Sequence, residues 1–218
     1  MTKVNKTIGV INYGYGNIYS VINALEHLKL DYEIINKSKE VLEFNNIILP
    51  GVGSFGNVMN KLNEMKYSDA IRKYVEDKEN LLLGICVGMQ AMFEGSEESE
   101  NIEGLGIFDG VVKKLENNKD NYLDRVPNIG WRKNFVDKEN AFLEEYLNEI
   151  KTYFIHSYYC VPEKKYQNIS YIKRSLDQKI VSSIFEDNVI GIQFHAERSK
   201  EDGLKLIKEI FSSWRNHY

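Results

Sequence analysis

The chain predicts an α/β fold with a mostly parallel central sheet flanked by helices and an antiparallel extension in its C-terminal half. Three observations carry this. Short β-type runs alternate with stretches of helical period up to Cys86, the pattern of βα units feeding a parallel sheet. The run Leu81-Leu82-Leu83-Gly84-Ile85 is apolar throughout, as a strand buried on both faces must be. From Val111 to Phe194, β-type runs then follow one another in succession.

Residues 7–11 form the first strand-like run, and the loop Asn12-Tyr13-Gly14-Tyr15-Gly16-Asn17 follows it. Ile18, Val21, Ile22, Leu25 and Leu28 then recur close to the 3.6-residue period of an amphipathic helix. Residues 32–35 and 46–49 predict two further strands, the second ended by Pro50, Gly51 and Gly53. A helix is expected over residues 68–76, with Ile71, Tyr74 and Val75 as its apolar face, leading into the Leu81 strand. Later β-type runs cover residues 152–159 and the pair 180–185 and 189–194, the last two joined by Glu186-Asp187-Asn188 as a hairpin turn. A closing helix is expected to be capped by Ser199, with Asp202 three residues on and Leu206, Ile207, Ile210, Phe211 and Trp214 facing inward. No repeat, low-complexity tract or proline-rich linker interrupts the pattern, so residues 1–218 are expected to make one domain.

Composition excludes several classes. A net charge of −4 with interspersed lysines and acids argues against nucleic-acid or anionic-membrane binding, both of which need clustered positive charge. The segment up to Lys6 is polar and lacks the apolar core of a secretory signal; residues 81–93, the longest apolar stretch, are too short and glycine-broken to span a bilayer. Two cysteines, Cys86 and Cys160, make no disulfide framework, so a reducing cytoplasm is expected.

The chemistry centres on Gly84-Ile85-Cys86-Val87-Gly88, where a strand enters a sharp turn. Such a nucleophile elbow presents its central side chain at the strand tip, and glycines on either side allow close backbone approach. With 2 cysteines and 15 glycines in 218 residues, chance would produce the pattern in about 1% of chains. The competing reading is a buried cysteine in an apolar turn. A thiol nucleophile needs a base and a group to orient it. His27 falls on the polar side of a helix and His217 in the terminal tail, which leaves His195 and His156. In extended backbone Glu197 shares a face with His195 and can accept from its second ring nitrogen; alone, this pair also reads as a strand-end histidine near a solvated acid. His156 lacks an acid at that spacing and is the reserve base. The loop at Gly14 and Gly16 lacks the third glycine of a dinucleotide fingerprint, Tyr19 standing there instead. No cofactor is implied, and no metal, since histidines and cysteines lack ligand spacing.

Together these segments resemble the class I (triad) glutamine amidotransferases along nearly the whole chain. The matching motifs are Ile11-Asn12-Tyr13-Gly14-Tyr15-Gly16-Asn17, Pro50-Gly51-Val52-Gly53-Ser54-Phe55, Gly84 to Gln90, Val126-Pro127-Asn128-Ile129-Gly130-Trp131, Tyr153 to Tyr158, and Gln193-Phe194-His195-Ala196-Glu197. The resemblance implies a flavodoxin-like sheet and a Cys86–His195–Glu197 triad that splits L-glutamine through a thioester. It implies oxyanion donors from the Val87 N–H and the Gly51-Val52-Gly53 loop, whose glycines permit a peptide flip. Gln90, Ser157 and Tyr158 would hold the substrate, with Glu94 a further candidate. Asn12, Asn17 and Trp131 would face a separate ammonia-accepting synthase subunit, a (β/α)8 barrel in one branch of the family, because the glutaminase pattern fills the chain. Three positions depart from the family pattern: Ala196 stands where proline is usual, Asn12 where aspartate is, and Asn128 where histidine is frequent. The motifs favour the branch that feeds histidine biosynthesis. The alternatives are a branch that amidates N-acetylated sugars for surface polysaccharides and a free-standing cysteine hydrolase.

Overall fold

The computed structural model describes residues 6–15, 17–118, 124–136, 141–166, 168–174 and 178–214. Gly16 and His217, both singled out above, lie outside the described residues. The first four strands, β1 (Ile8–Ile11), β2 (Tyr32–Ile35), β3 (Asn46–Leu49) and β4 (Leu81–Ile85), run parallel in the order β2-β1-β3-β4. Helix α1 (Ile18–His27) buries Ile18, Val21, Ile22, Ala24 and Leu25, and Asn17 caps it by accepting from Ser20 N. Helix α2 (Phe55–Glu64) is absent from the expectations above, although Phe55, Val58, Met59 and Leu62 sit at i, i+3, i+4 and i+7. The glycine-rich reading of residues 50–56 concealed it, because Gly56 belongs to its first turn. Helix α3 (Tyr67–Glu76) follows, and α4 (Val87–Ala91) leaves the Cys86 turn.

Beyond α4 the chain changes character. Strands β5 (Gly95–Ser96) and β6 (Gly110–Lys114) begin a small second sheet; β7 (Asn128–Val136), a short α5 (Ala141–Tyr146) and β8 (Lys151–His156) extend the large one. Residues 152–159, expected as one run, are two strands in two sheets. The chain bends at Ser157, and β9 (Tyr158–Pro162) pairs with β6 rather than continuing β8 beside β7. Strands β10 (Asn168–Lys173), β11 (Lys179–Glu186) and β12 (Val189–Ile192) bring the chain back, with Asp187 at φ 48° in the tight turn between the last two. Strand β12 lies parallel to β4, Gly191 opposite Gly84, and the nine-stranded order is β2-β1-β3-β4-β12-β11-β10-β7-β8. Five parallel strands thus end in a row, and open α/β sheets bind ligands at that carboxyl edge.

Helix α6 (Lys200–Ser212) closes the core with Leu206, Ile207 and Ile210 buried. Ser199 stands at its N-cap but makes no side-chain cap bond there. Its hydroxyl instead donates to His195 O (2.6 Å) and accepts from Tyr153 N (2.9 Å). No described helix is long and apolar enough to cross a membrane.

Candidate active site

Cys86 follows β4 with φ 54° and ψ −111°. A non-glycine residue there costs on the order of 1–3 kcal/mol and persists only where its surroundings over-determine it. Glycines supply that constraint. A Cβ on Gly88 would collide with Leu49 O and one on Gly51 with the Gly88 backbone, so backbone packs directly on backbone beneath the turn. The Cys86 N–H donates to Ile192 O (2.8 Å) on the neighbouring strand.

The cysteine lies at the floor of a cavity of about 380 Å³. Val52 and Gly53 form one wall from the loop after β3, and Val87 and Gln90 another from α4. Ser157 and Tyr158 enter through the bend between β8 and β9, and His195 through the segment after β12. Gly51 is not part of the lining; it is spent against the elbow, and Gly53, at φ 95°, is the glycine that faces the cavity. Glu94 also stands outside: its carboxylate accepts from Gly110 N (2.9 Å) and secures the small sheet. The acid on the cavity wall is Glu98, which accepts from Phe55 N at 2.7 Å. Nothing in the sequence separates Glu98 from its acidic neighbours Glu97, Glu100 and Glu103.

His195 Nδ1 lies 2.7 Å from Glu197 Oε1, with both side chains 5% exposed. The expected contact is present on a different backbone, since His195 is extended but Ala196–Arg198 is a 3-10 turn that folds Glu197 back onto the ring. Burial alone would lower the His195 pKa. Hydrogen bonds to Cys86 and Glu197, together with their charges, outweigh it and push the value up to about 10. Glu197 Oε2 is buried without a hydrogen-bond partner among the described residues, so its charge is balanced by the imidazolium beside it.

His156 is 6% exposed and both its ring nitrogens are engaged, Nε2 with Asn128 Nδ2 and Nδ1 with Tyr158 O, each at 2.8 Å. Burial lowers its pKa to about 4. The reserve base is therefore a neutral, fully bonded ring. His27 is exposed in the last turn of α1. Burial raises the Cys160 thiol well above the usual range, which leaves Cys86 as the thiol at the cavity.

A further residue went unnoticed in the sequence. Gln193 is fully buried, accepts from Gln90 Nε2 (3.0 Å) and turns its own amide nitrogen toward Cys86 Sγ at 3.7 Å. The signal existed, because Gln193 stands two residues before His195 at the end of the β-type run 189–194 and in extended backbone would share its side, although the strand itself ends at Ile192. Tyr13 ties the first loop to the second by donating to Pro50 O (2.7 Å). Asn12 accepts from Gly14 N within its own loop, whereas Trp131, 39% exposed on β7, lies opposite Tyr153, whose carbonyl receives the His195 N–H. Among the described residues, no three His, Cys, Asp or Glu side chains gather as metal ligands.

A parallel sheet whose carboxyl edge holds a strained cysteine turn beside a buried histidine–carboxylate pair defines an α/β protein built for acyl transfer through a thiol. The chain belongs to the class-I glutamine amidotransferase family, whose pattern matches residues 9–214. It is 38% identical over 201 residues to imidazole glycerol phosphate synthase subunit HisH of Caldanaerobacter subterraneus subsp. tengcongensis, covering 92% of this chain and 95% of that protein. A chloroplastic protein of Arabidopsis thaliana, imidazole glycerol phosphate synthase hisHF, is 33% identical across 94% of this chain but only 34% of its own length. A crystal structure of a glutamine amidotransferase superposes with a TM-score of 0.69 at 19% identity, covering 94% of this chain and 97% of the other, and so shares the fold.

Proposed function

We infer that the chain is the glutaminase subunit of an imidazole glycerol phosphate synthase, a single domain that splits L-glutamine into glutamate and ammonia. The observation that carries this is the Cys86 turn facing the His195–Glu197 pair in a chain similar to HisH proteins along most of its length. Cys86 sulfur attacks the side-chain carbonyl carbon of glutamine. The carbon–nitrogen bond breaks as His195 passes its proton to the departing nitrogen, and ammonia leaves a γ-glutamyl thioester. Water then gives a proton to His195 and attacks the thioester, releasing glutamate and the thiolate. Glu197 holds the imidazole throughout. The Val87 N–H, on the residue after the nucleophile, and the Val52–Gly53 edge of the second loop stabilise the oxyanion. Gln90, Ser157 and Tyr158 hold glutamine, and Glu98 offers the countercharge for its α-ammonium group.

The ammonia acceptor is a separate, cytoplasmic (β/α)8-barrel subunit that forms a heterodimer with this chain. The plant relative supports a second component, since this chain matches only 34% of its length. The test is to purify the chain with its cognate barrel synthase, and separately with an N-acetyl sugar amidating synthase, and to measure glutamine hydrolysis with and without each acceptor substrate. Hydrolysis stimulated by the barrel and its acceptor is expected. Full hydrolysis by the chain alone, or stimulation only by the sugar enzyme, would overturn it.

A further inference from the structure

On the inward face of β7 and β8 a line of polar groups runs from Arg132 to the cavity. Asn128 is fully buried, so both ends of its amide need partners. A guanidinium only donates, and Arg132 Nε meets Asn128 Oδ1 at 2.9 Å, which turns the Asn128 amide nitrogen onto His156 Nε2 at 2.8 Å. That ring nitrogen is then the unprotonated one. The ring proton sits on Nδ1 and is donated to the Tyr158 carbonyl at 2.8 Å. A second line reaches the same carbonyl from the nucleophile. Gln90 Nε2 donates to Tyr158 O and to Gln193 Oε1, each at 3.0 Å, and Gln193 Nε2 faces Cys86 Sγ. Arg132 fixes the polarity of one line, the Tyr158 carbonyl that of the other, and the two meet on one oxygen.

We propose that His156 is a positioning residue for the glutamine site: its tautomer, set by Arg132 through Asn128, gives the Nδ1 proton to the Tyr158 carbonyl and so holds that carbonyl, and Gln90 with it, in place for substrate. This rests on the glutaminase reading above. In the other tautomer a nitrogen lone pair would face the carbonyl lone pairs, the β8–β9 bend would swing away, and Gln90 would lose its anchor. Burial keeps the ring neutral, so the arrangement holds through neutral pH.

The test measures glutamine kcat and KM of the chain with its synthase. His156→Asn puts an amide donor where Nδ1 stands, whereas His156→Gln puts its amide where Nε2 stands, its oxygen accepting from Asn128, and leaves Tyr158 O with the Gln90 donor alone. His156→Asn is expected to keep KM within about twofold, and His156→Gln to raise KM about tenfold with kcat little changed. Asn128→Asp keeps the shape but gives Nε2 only an acceptor. The ratio of its KM to the wild-type KM at the same pH is expected to stay near one at the acid end, where the new carboxylate holds both ring protons against the Arg132, Arg174 and His195 charges, and to climb about tenfold with rising pH as the Nδ1 proton is lost. Equal KM in the two His156 variants, or a flat Asn128→Asp profile, overturns the proposal. A wild-type complex that does not hydrolyse glutamine overturns the underlying reading instead.

Discussion

Cys86 and then Glu197 are the two groups that hold the charge on His195 against burial. Glu197 Oε1 meets the ring at 2.7 Å and its Oε2 has no hydrogen-bond partner among the described residues, so removing its charge leaves the buried imidazolium with Cys86 alone to offset burial. Glu197→Gln is therefore expected to bring the His195 titration down from about 10 toward the ordinary 6.5, as read by NMR of the ring protons. The sign for stability follows. The folded value lies above the unfolded one, so the charged ring stabilises the fold fully below pH 6.5, and that contribution is lost as pH rises through about 10. The melting temperatures of wild type and variant should accordingly differ most at the acid end of that window and converge at its alkaline end.

At the scale of elements, α6 and the strand ends are joined by one hydroxyl. Ser199 links His195 O to Tyr153 N, fastening the start of α6 and the middle of β8 to the segment that carries the base. Ser199→Ala leaves His195 O with the Arg198 N–H alone and takes the acceptor from the half-buried Tyr153 N–H, and is expected to cost about 1–3 kcal/mol in urea unfolding and to reduce kcat by more than it raises KM. Ser199 stands at the N-cap as expected, but its hydroxyl bonds elsewhere, because spacing reports which residues stand at a helix start and not which partner a hydroxyl prefers. The parallel strands β1, β3 and β4, buried along their length, were legible to within a residue, since a strand buried on both faces is largely apolar, whereas β12 ends at Ile192, two residues short of the run expected to Phe194. The break at Ser157 was not legible, because Thr152 to Tyr159 carries β-type residues on both sides of the point where the chain changes sheets. Cys86, His195 and Glu197 could be singled out by local motif and spacing. Glu98 could not, since only the fold selects it from a run of acids, and Glu94 was preferred to it on likeness alone.

For the molecule as a whole, buried polar groups tie stability to pH. His156 is neutral in the fold with its pKa lowered to about 4 by burial, against 6.5 when unfolded. Its contribution is complete above pH 6.5 and is lost as pH falls through about 4, amounting to roughly 3 kcal/mol over that interval. Acid unfolding followed by circular dichroism should therefore be steeper in wild type than in His156→Asn, which has no ring to protonate. The active edge depends on the same frame, because the loops after three adjacent parallel strands, β3, β4 and β12, and the bend between β8 and β9 converge on the cavity of the sulfur that the glycine-packed turn holds upright. The most direct measurement of what that sulfur does is acid quench of the working complex during glutamine turnover, followed by peptide mass spectrometry. A γ-glutamyl adduct on the Cys86 peptide is expected, present only with glutamine, together with a loss of turnover of about 10³-fold or more in Cys86→Ala. Undiminished turnover in Cys86→Ala, with no adduct on that peptide in wild type, would contradict it.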